Sequence, residues 1–117
     1  MIVVPNIFKI IDSKLFEQAS AEGRFQGAEI DLRDGFIHFS SIGQVQETAK
    51  LHFAGREGLV IFAIAQDVLG NALKWEASRG GQLFPHYYGT LDMKLVRWAK
   101  PLPWNGLTHD FPRETFQ

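Results

Sequence analysis

The chain carries four histidines and no cysteine, so proton transfer near neutral pH falls to imidazole rather than to thiolate. Two of the histidines stand in informative company. His38 lies in the run Phe36-Ile37-His38-Phe39-Ser40-Ser41. Along an extended segment, alternation sends Ile37 and Phe39 to one face and Phe36 and His38 to the other. If Phe39 points into the core, His38 faces a cleft or solvent, where a neutral ring donates to a hydroxyl or accepts a proton. The plainer role is a strand histidine that ties down a neighbouring loop. His86 lies in Phe84-Pro85-His86-Tyr87-Tyr88-Gly89, the densest aromatic stretch. The preceding proline restrains its backbone. Tyr87 and Tyr88 face opposite sides if extended, so one packs while the other lines a pocket beside His86. The plainer role is a packed corner with His86 bonded to a backbone carbonyl.

Other groups add to this pair. Ser40 and Ser41 stand where a strand gives way to a helix, a junction whose free N–H groups suit a phosphate or carboxylate. One hydroxyl caps the helix while the other faces a ligand. Trp75 and Glu76 offer a stacking plane beside a carboxylate that polarises a hydroxyl or supports a developing cation. On spacing alone they read equally as a packed tryptophan and an exposed Glu76–Arg79 pair, which contributes ~0–1 kcal/mol. Arg79 precedes Gly80-Gly81, and a guanidinium on a mobile loop suits anion capture. No Ser-His-acid triad and no glycine-rich phosphate loop is legible. No two histidines have His-x-x-x-His spacing, so a metal site requires His38, His86 and Glu76 to converge in space. His52 reads as covering a helix face, and His109 lies in the tail.

These residues need a scaffold. The 117 residues make one domain, and 45% apolar with 21% charged residues is the composition of a folded soluble protein. A net charge of −1 offers no broad field for DNA or an anionic membrane. No apolar stretch approaches the ~20 residues that span a bilayer. No secretory leader is legible, so the cytoplasm is the expected location. Phe8–Ile11 reads as a strand. Asp12 or Ser13 caps a helix whose Leu15, Phe16 and Ala19 share a face and which Gly23 stops. Phe36–Phe39 is a second strand. Ser41 and Gln44 have capping-box spacing before Val45, Thr48, Ala49 and His52. Leu59–Ala65 is the most apolar strand, expected at the centre of a sheet. Asp67–Leu69 reads as a helical turn closed by Gly70, Ala72–Glu76 as a strand, and Leu95–Lys100 as a last strand stopped by Pro101. The sum is an α+β domain over 1–103: a small, twisted, mostly antiparallel sheet with two main helices. Residues 104–117 form a tail, docked through its aromatics or left loose.

Two long segments carry a resemblance: DGFIHFSS at Asp34–Ser41 and LKWEASRGGQLFPHYYGTL at Leu73–Leu91. With the strand between them, the chain resembles a small bacterial family, domain of unknown function 952, over about residues 5–100. That family is in turn similar in fold to the ADP-ribosyltransferase-like group. His38-Phe39-Ser40 resembles the His-Gly-Thr element with which those enzymes hold NAD, although Phe39 replaces the glycine. Glu76 is a loose counterpart of their catalytic glutamate. The resemblance therefore implies a transferase-like cleft. In it His38, Glu76 and His86 act chemically, while Ser40, Ser41, Trp75, Arg79, Tyr87 and Tyr88 bind a nucleotide or other small anion; no cofactor is read from the residues, and NAD enters only by the fold analogy. Two alternatives stand beside it. One is a non-enzymatic interaction module, monomeric or homodimeric; the other is a metal-dependent hydrolase.

Overall fold

Strand β1 (Asn6–Asp12) organises the molecule because both of its faces are buried. In a computed structural model, which describes residues 3–117 apart from the side chain of Arg79, Ile7 and Ile11 point into one core and Phe8 and Ile10 into another. That is the period-two alternation of a strand covered on both sides. Lys9 shares the face of Ile7 and Ile11, so a lysine enters a buried layer.

After β1 the chain turns directly into helix α1 (Ser13–Glu22). Asp12 holds the N-cap position, but its carboxylate accepts from Arg56 at 2.9 Å and makes no cap bond. Gly23 closes the helix at φ 79, with its N–H on the Ala19 carbonyl, a conformation open to glycine. A two-residue strand β2 (Arg24–Phe25) leads to α2 (Glu29–Asp34), which the sequence reading does not anticipate. Next come β3 (Ile37–His38), β4 (Ser40–Ser41) and α3 (Val45–His52). Strand β5 is Leu59–Ala65, as its apolar run predicts. A 3-10 segment, Gln66–Ala72, breaks at Gly70 before β6 (Leu73–Ala77). Strand β7 (Leu83–Tyr87) takes in His86, and β8 (Leu91–Asp92) and β9 (Val96–Pro101) complete the strands.

Every strand pairing is antiparallel. One sheet has the order β4-β1-β5-β9, a second β3-β7-β6, and β2 pairs with β8. The architecture is thus mixed α+β with antiparallel sheets. Among the described residues it holds three α-helices, α2 being short, rather than two main ones, and divides its strands among three sheets rather than one. The first core centres on Phe62, wholly buried, with Phe25 and Phe39 edge-on to it. The second gathers Phe8, Val45, Ile61 and Leu102. The tail lies on that second core through Phe111, and His109 bonds the Arg56 carbonyl at 2.9 Å. No helix among the described residues is long and apolar enough to cross a membrane.

Pro85 explains the break between β3 and β4. It sits in the central strand of its sheet, and its carbonyl accepts from Phe39 N–H at 2.9 Å. Having no N–H, it gives nothing back, so the ladder stops at Phe39.

Candidate functional site

The β3–β7 register sets His38 directly opposite His86. Residues opposed in an antiparallel pair share a face, and the two rings meet edge to face at 5.4 Å between centroids. Phe36 holds both: it stacks on His86 at 4.1 Å and lies 4.5 Å from His38. Each imidazole is backed by its own carboxylate.

Behind His38 stands Asp31, the third residue of α2, only 1% exposed. It reaches back to the Ala28 N–H at 2.7 Å, the acidic half of a capping box. It also accepts from Lys9 Nζ at 2.9 Å, from His38 N–H at 3.0 Å and from His38 Nδ1 at 2.7 Å. Burial pushes this carboxyl up, but the His38 ring bond, the Lys9 ammonium and the backbone bond outweigh it and bring it to about 2. Burial in turn pulls the Lys9 ammonium below the usual lysine range, against the opposing effect of Asp31. On the far side of the ring, His38 Nε2 lies 3.0 Å from Asp34 Oδ2. The Arg33 bond is the main cause of the lowered Asp34 carboxyl, and His38 contributes. A carboxylate only accepts, so only the doubly protonated form of the ring can serve one at each nitrogen.

His86 is built differently. It is 4% exposed, with Nδ1 at 2.9 Å from Glu76 Oε1. The same oxygen accepts from Tyr88 OH at 2.7 Å. These two bonds, the Tyr88 one first, hold the Glu76 carboxyl below its usual range, and the Glu76 bond holds the Tyr88 phenol up. Nδ1 must donate to Glu76, so the neutral ring keeps its lone pair on Nε2, which has no hydrogen-bond partner among the described residues.

Both histidines line a cleft of about 560 Å³, with Lys9, Asp34, Ser40, Thr48, His52, Arg56 and Ser78 as its other polar groups. Phe8, Ile10, Ile30 and Phe53 supply apolar wall. A second hollow of about 980 Å³ adjoins it through Lys9, Ile30, Phe53 and Arg56.

The fold therefore brings His38, His86, Glu76 and Tyr88 together, with Ser40 on the cleft wall. Several placements differ from expectation. Glu76 stands behind His86 rather than facing the cleft. Ser40 is buried with its hydroxyl 2.9 Å from that of Thr48. Ser41 does not cap a helix: α3 begins later, at Val45, because Gln44 takes the N-cap position and folds its side chain back. Its Oε1 accepts from Ser41 N–H at 3.0 Å and its Nε2 donates to the Leu83 carbonyl at 2.8 Å. The strand end and the helix start are thus separated by a turn rather than meeting at one junction. Trp75 is on the face of β6 opposite Glu76 and is 41% exposed, neither packed nor in the cleft. Tyr87 packs on the first core. Arg79 belongs to a 3-10 turn, Arg79–Gly81, and its side chain lies outside the described residues. Glu76 is bonded to one histidine ring rather than standing as a third ligand beside two. Among the described residues no group of three or more His, Asp or Glu could hold a metal ion.

Sequence reasoning missed Lys9, Asp31 and Asp34. The available signal was Lys9 itself, a charge inside the apolar run Phe8–Ile11 that demands a buried counter-charge.

No curated protein matches the chain. Among solved structures it is similar to protein CC0527 from Caulobacter crescentus. The crystal structure of that protein matches at 40% identity and a TM-score of 0.90, covering 96% of this chain and 99% of the other. Its solution structure matches at 41% identity and a TM-score of 0.82, covering 93% and 94%. The family model described as protein of unknown function, DUF952, matches residues 10–99, and the chain belongs to that family.

Proposed function

We propose that the chain binds a small hydroxyl-bearing molecule with an anionic group, such as a nucleotide, in the 560 Å³ cleft. On it, His38 and His86 act as a general acid and a general base. The observation that carries this reading is the unequal wiring of two adjacent rings. His38 has a carboxylate at each nitrogen, whereas His86 has one at Nδ1 and no partner at Nε2 among the described residues. Two like groups given unlike hydrogen-bond surroundings are the usual parts of an acid–base pair.

In that scheme His86 Nε2 takes the proton of an attacking hydroxyl while His38 Nε2 passes its proton to the leaving oxygen. The bound ligand then replaces Asp34 as the partner of His38. Glu76 fixes the tautomer of His86, and Asp31 stabilises the imidazolium of His38. Arg56, half exposed and held by Asp12, is the cation able to swing to an anion. Group transfer from NAD, which the resemblance to ADP-ribosyltransferases implies, would use only the base of this pair, because nicotinamide leaves as a neutral ring nitrogen and takes no proton.

Calorimetric titration with NAD, ADP-ribose, nucleoside mono- and diphosphates and their sugar components tests the reading. At least one of them should bind, and any turnover should fall about 10²–10⁴-fold in His86→Ala. The reading is abandoned if none binds and His38→Gln and His86→Ala leave every response unchanged.

A further inference from the structure

Strand β6 is the edge of its sheet, paired with β7 alone. The direction of its backbone groups can be worked out. The Ala72 carbonyl accepts from Tyr88 N–H, and Ser78 N–H donates to Gln82, so both face the β7 side. Polar backbone atoms alternate along a strand. Lys74 and Glu76 therefore face β7, and Leu73, Trp75 and Ala77 turn theirs outward. Pro85, opposite Trp75, agrees, because its carbonyl is spent on Phe39 on the far side. Of the outward groups, Leu73 N–H is closed onto Gly70.

One face of this edge is apolar and open to solvent. Trp75 is exposed, and Leu83, opposite Ala77 on the same face, is exposed as well. The order Leu73-Lys74-Trp75-Glu76-Ala77 is also complementary to itself when reversed. Set antiparallel to a second copy about Trp75, the strand puts Lys74 across from Glu76 of the other chain, and Glu76 across from its Lys74. Opposite charges at facing positions stabilise such a pair, and like charges oppose it. We propose that β6 is the contact strand of a symmetric homodimer, which joins the two three-stranded sheets into one. Trp75 N–H and C=O bond reciprocally to Trp75 of the second copy, and Ala77 N–H bonds to its Leu73 carbonyl. This is an isologous contact in which each copy supplies the same patch. It also reaches the site. Glu76 backs His86, so the second copy brings its Lys74 against the carboxylate that orients the ring.

Sedimentation velocity on the full chain, from low to high micromolar, tests this independently of ligand binding. The wild type is expected at twice the 13.2 kDa chain mass. Trp75→Lys and Ala77→Pro are expected at the single-chain mass, with unchanged circular dichroism. Neither residue uses its N–H toward β7, so the fold has no need of either group. Lys74→Glu should weaken dimerisation about tenfold or more, because both cross-strand pairs become repulsive. A wild type that stays monomeric throughout overturns the proposal. So does a dimer that survives both Trp75→Lys and Ala77→Pro. A dimer lost in Trp75→Lys but kept in Ala77→Pro overturns the strand pairing, since the contact would then be one of side chains alone.

Discussion

Asp31→Asn is the substitution that most directly questions the site, because the side chain keeps its shape and loses only its charge. Lys9 then remains in a buried layer, 7% exposed, with an amide in place of its counter-ion. The two bonds from His38 lose their charge assistance. Removing one partner of a buried pair costs about 3–5 kcal/mol, chiefly through the charge left uncompensated. For a domain of this size that is a fall in Tm of roughly 10–25 °C. A second, milder signature follows from titration. The Asp31 carboxyl titrates near 3.9 in an unfolded chain and at about 2 in the folded one. The folded state therefore binds fewer protons in between, and the group contributes its full stabilisation above pH 4. That contribution, about 2–3 kcal/mol, is lost as the pH falls from about 4 to about 2. Urea unfolding followed by circular dichroism, at one protein concentration and across that pH range, measures both effects. Lys9→Met combined with Asp31→Asn should recover most of the loss, because the pair then disappears together. A loss under 1 kcal/mol for Asp31→Asn at pH 7 would refute the reasoning. So would an acid profile that the variant shares in full with the wild type, or a double variant whose loss is the plain sum of the single ones.

Two further substitutions probe how the cluster is held. Gly27→Ala places a Cβ 2.6 Å from that of Asp31, at a φ of 129 that side chains rarely adopt. It should destabilise by about 1–3 kcal/mol and shift the His38 ring resonances by NMR, whereas the same change at Gly55, with open space around it, should leave those resonances alone. Gln44→Ala removes the acceptor of Ser41 N–H and the donor to the Leu83 carbonyl. A cost of about 1–2 kcal/mol in chemical denaturation is expected, with the β7 amides of Leu83 and Phe84 losing hydrogen-exchange protection.

The large elements were legible because their hydrophobic patterns agree with their burial. Leu59–Ala65 is an unbroken apolar run and is a strand with nearly every residue buried. The Gly23 stop of α1 has the αL geometry that its composition suggests. Helix α2 was illegible for the opposite reason. Its apolar residues Ile30 and Leu32 lie exposed, Leu32 at 62%, while its buried residue is an aspartate. Periodicity read from hydropathy points such a helix the wrong way round. The two-residue strands β2, β4 and β8 are too short to show any period, whereas β3 falls within the expected Phe36–Phe39 strand. The meeting of His38 with His86 depends on strand register across 48 positions of sequence; alternation predicts the face of His38 alone, and only tertiary structure could give the partner. The Ser41–Gln44 spacing reads half correctly: Gln44 Oε1 takes the Ser41 N–H as in a capping box, but the helix itself starts only at Val45.

The same elements make sense of where the molecule accepts cost. A buried lysine–aspartate pair is rarely worth more than well-packed apolar side chains of the same volume. The Lys9 position, on the face that carries Ile7 and Ile11, would accept one readily. The pair is placed where its carboxylate also takes the His38 N–H and ring, so its desolvation cost falls at the one point where β1, α2 and β3 must be set relative to one another. Moving Asp31 by one position in either direction along α2 would carry it about 100° around the helix and release all these bonds together. The cluster therefore acts as a register lock on His38, and through the β3–β7 pairing on its distance from His86. Stabilising this domain by an apolar Lys9 and Asp31 would loosen the two rings from one another, the trade expected where a local rule of good packing is broken at a site.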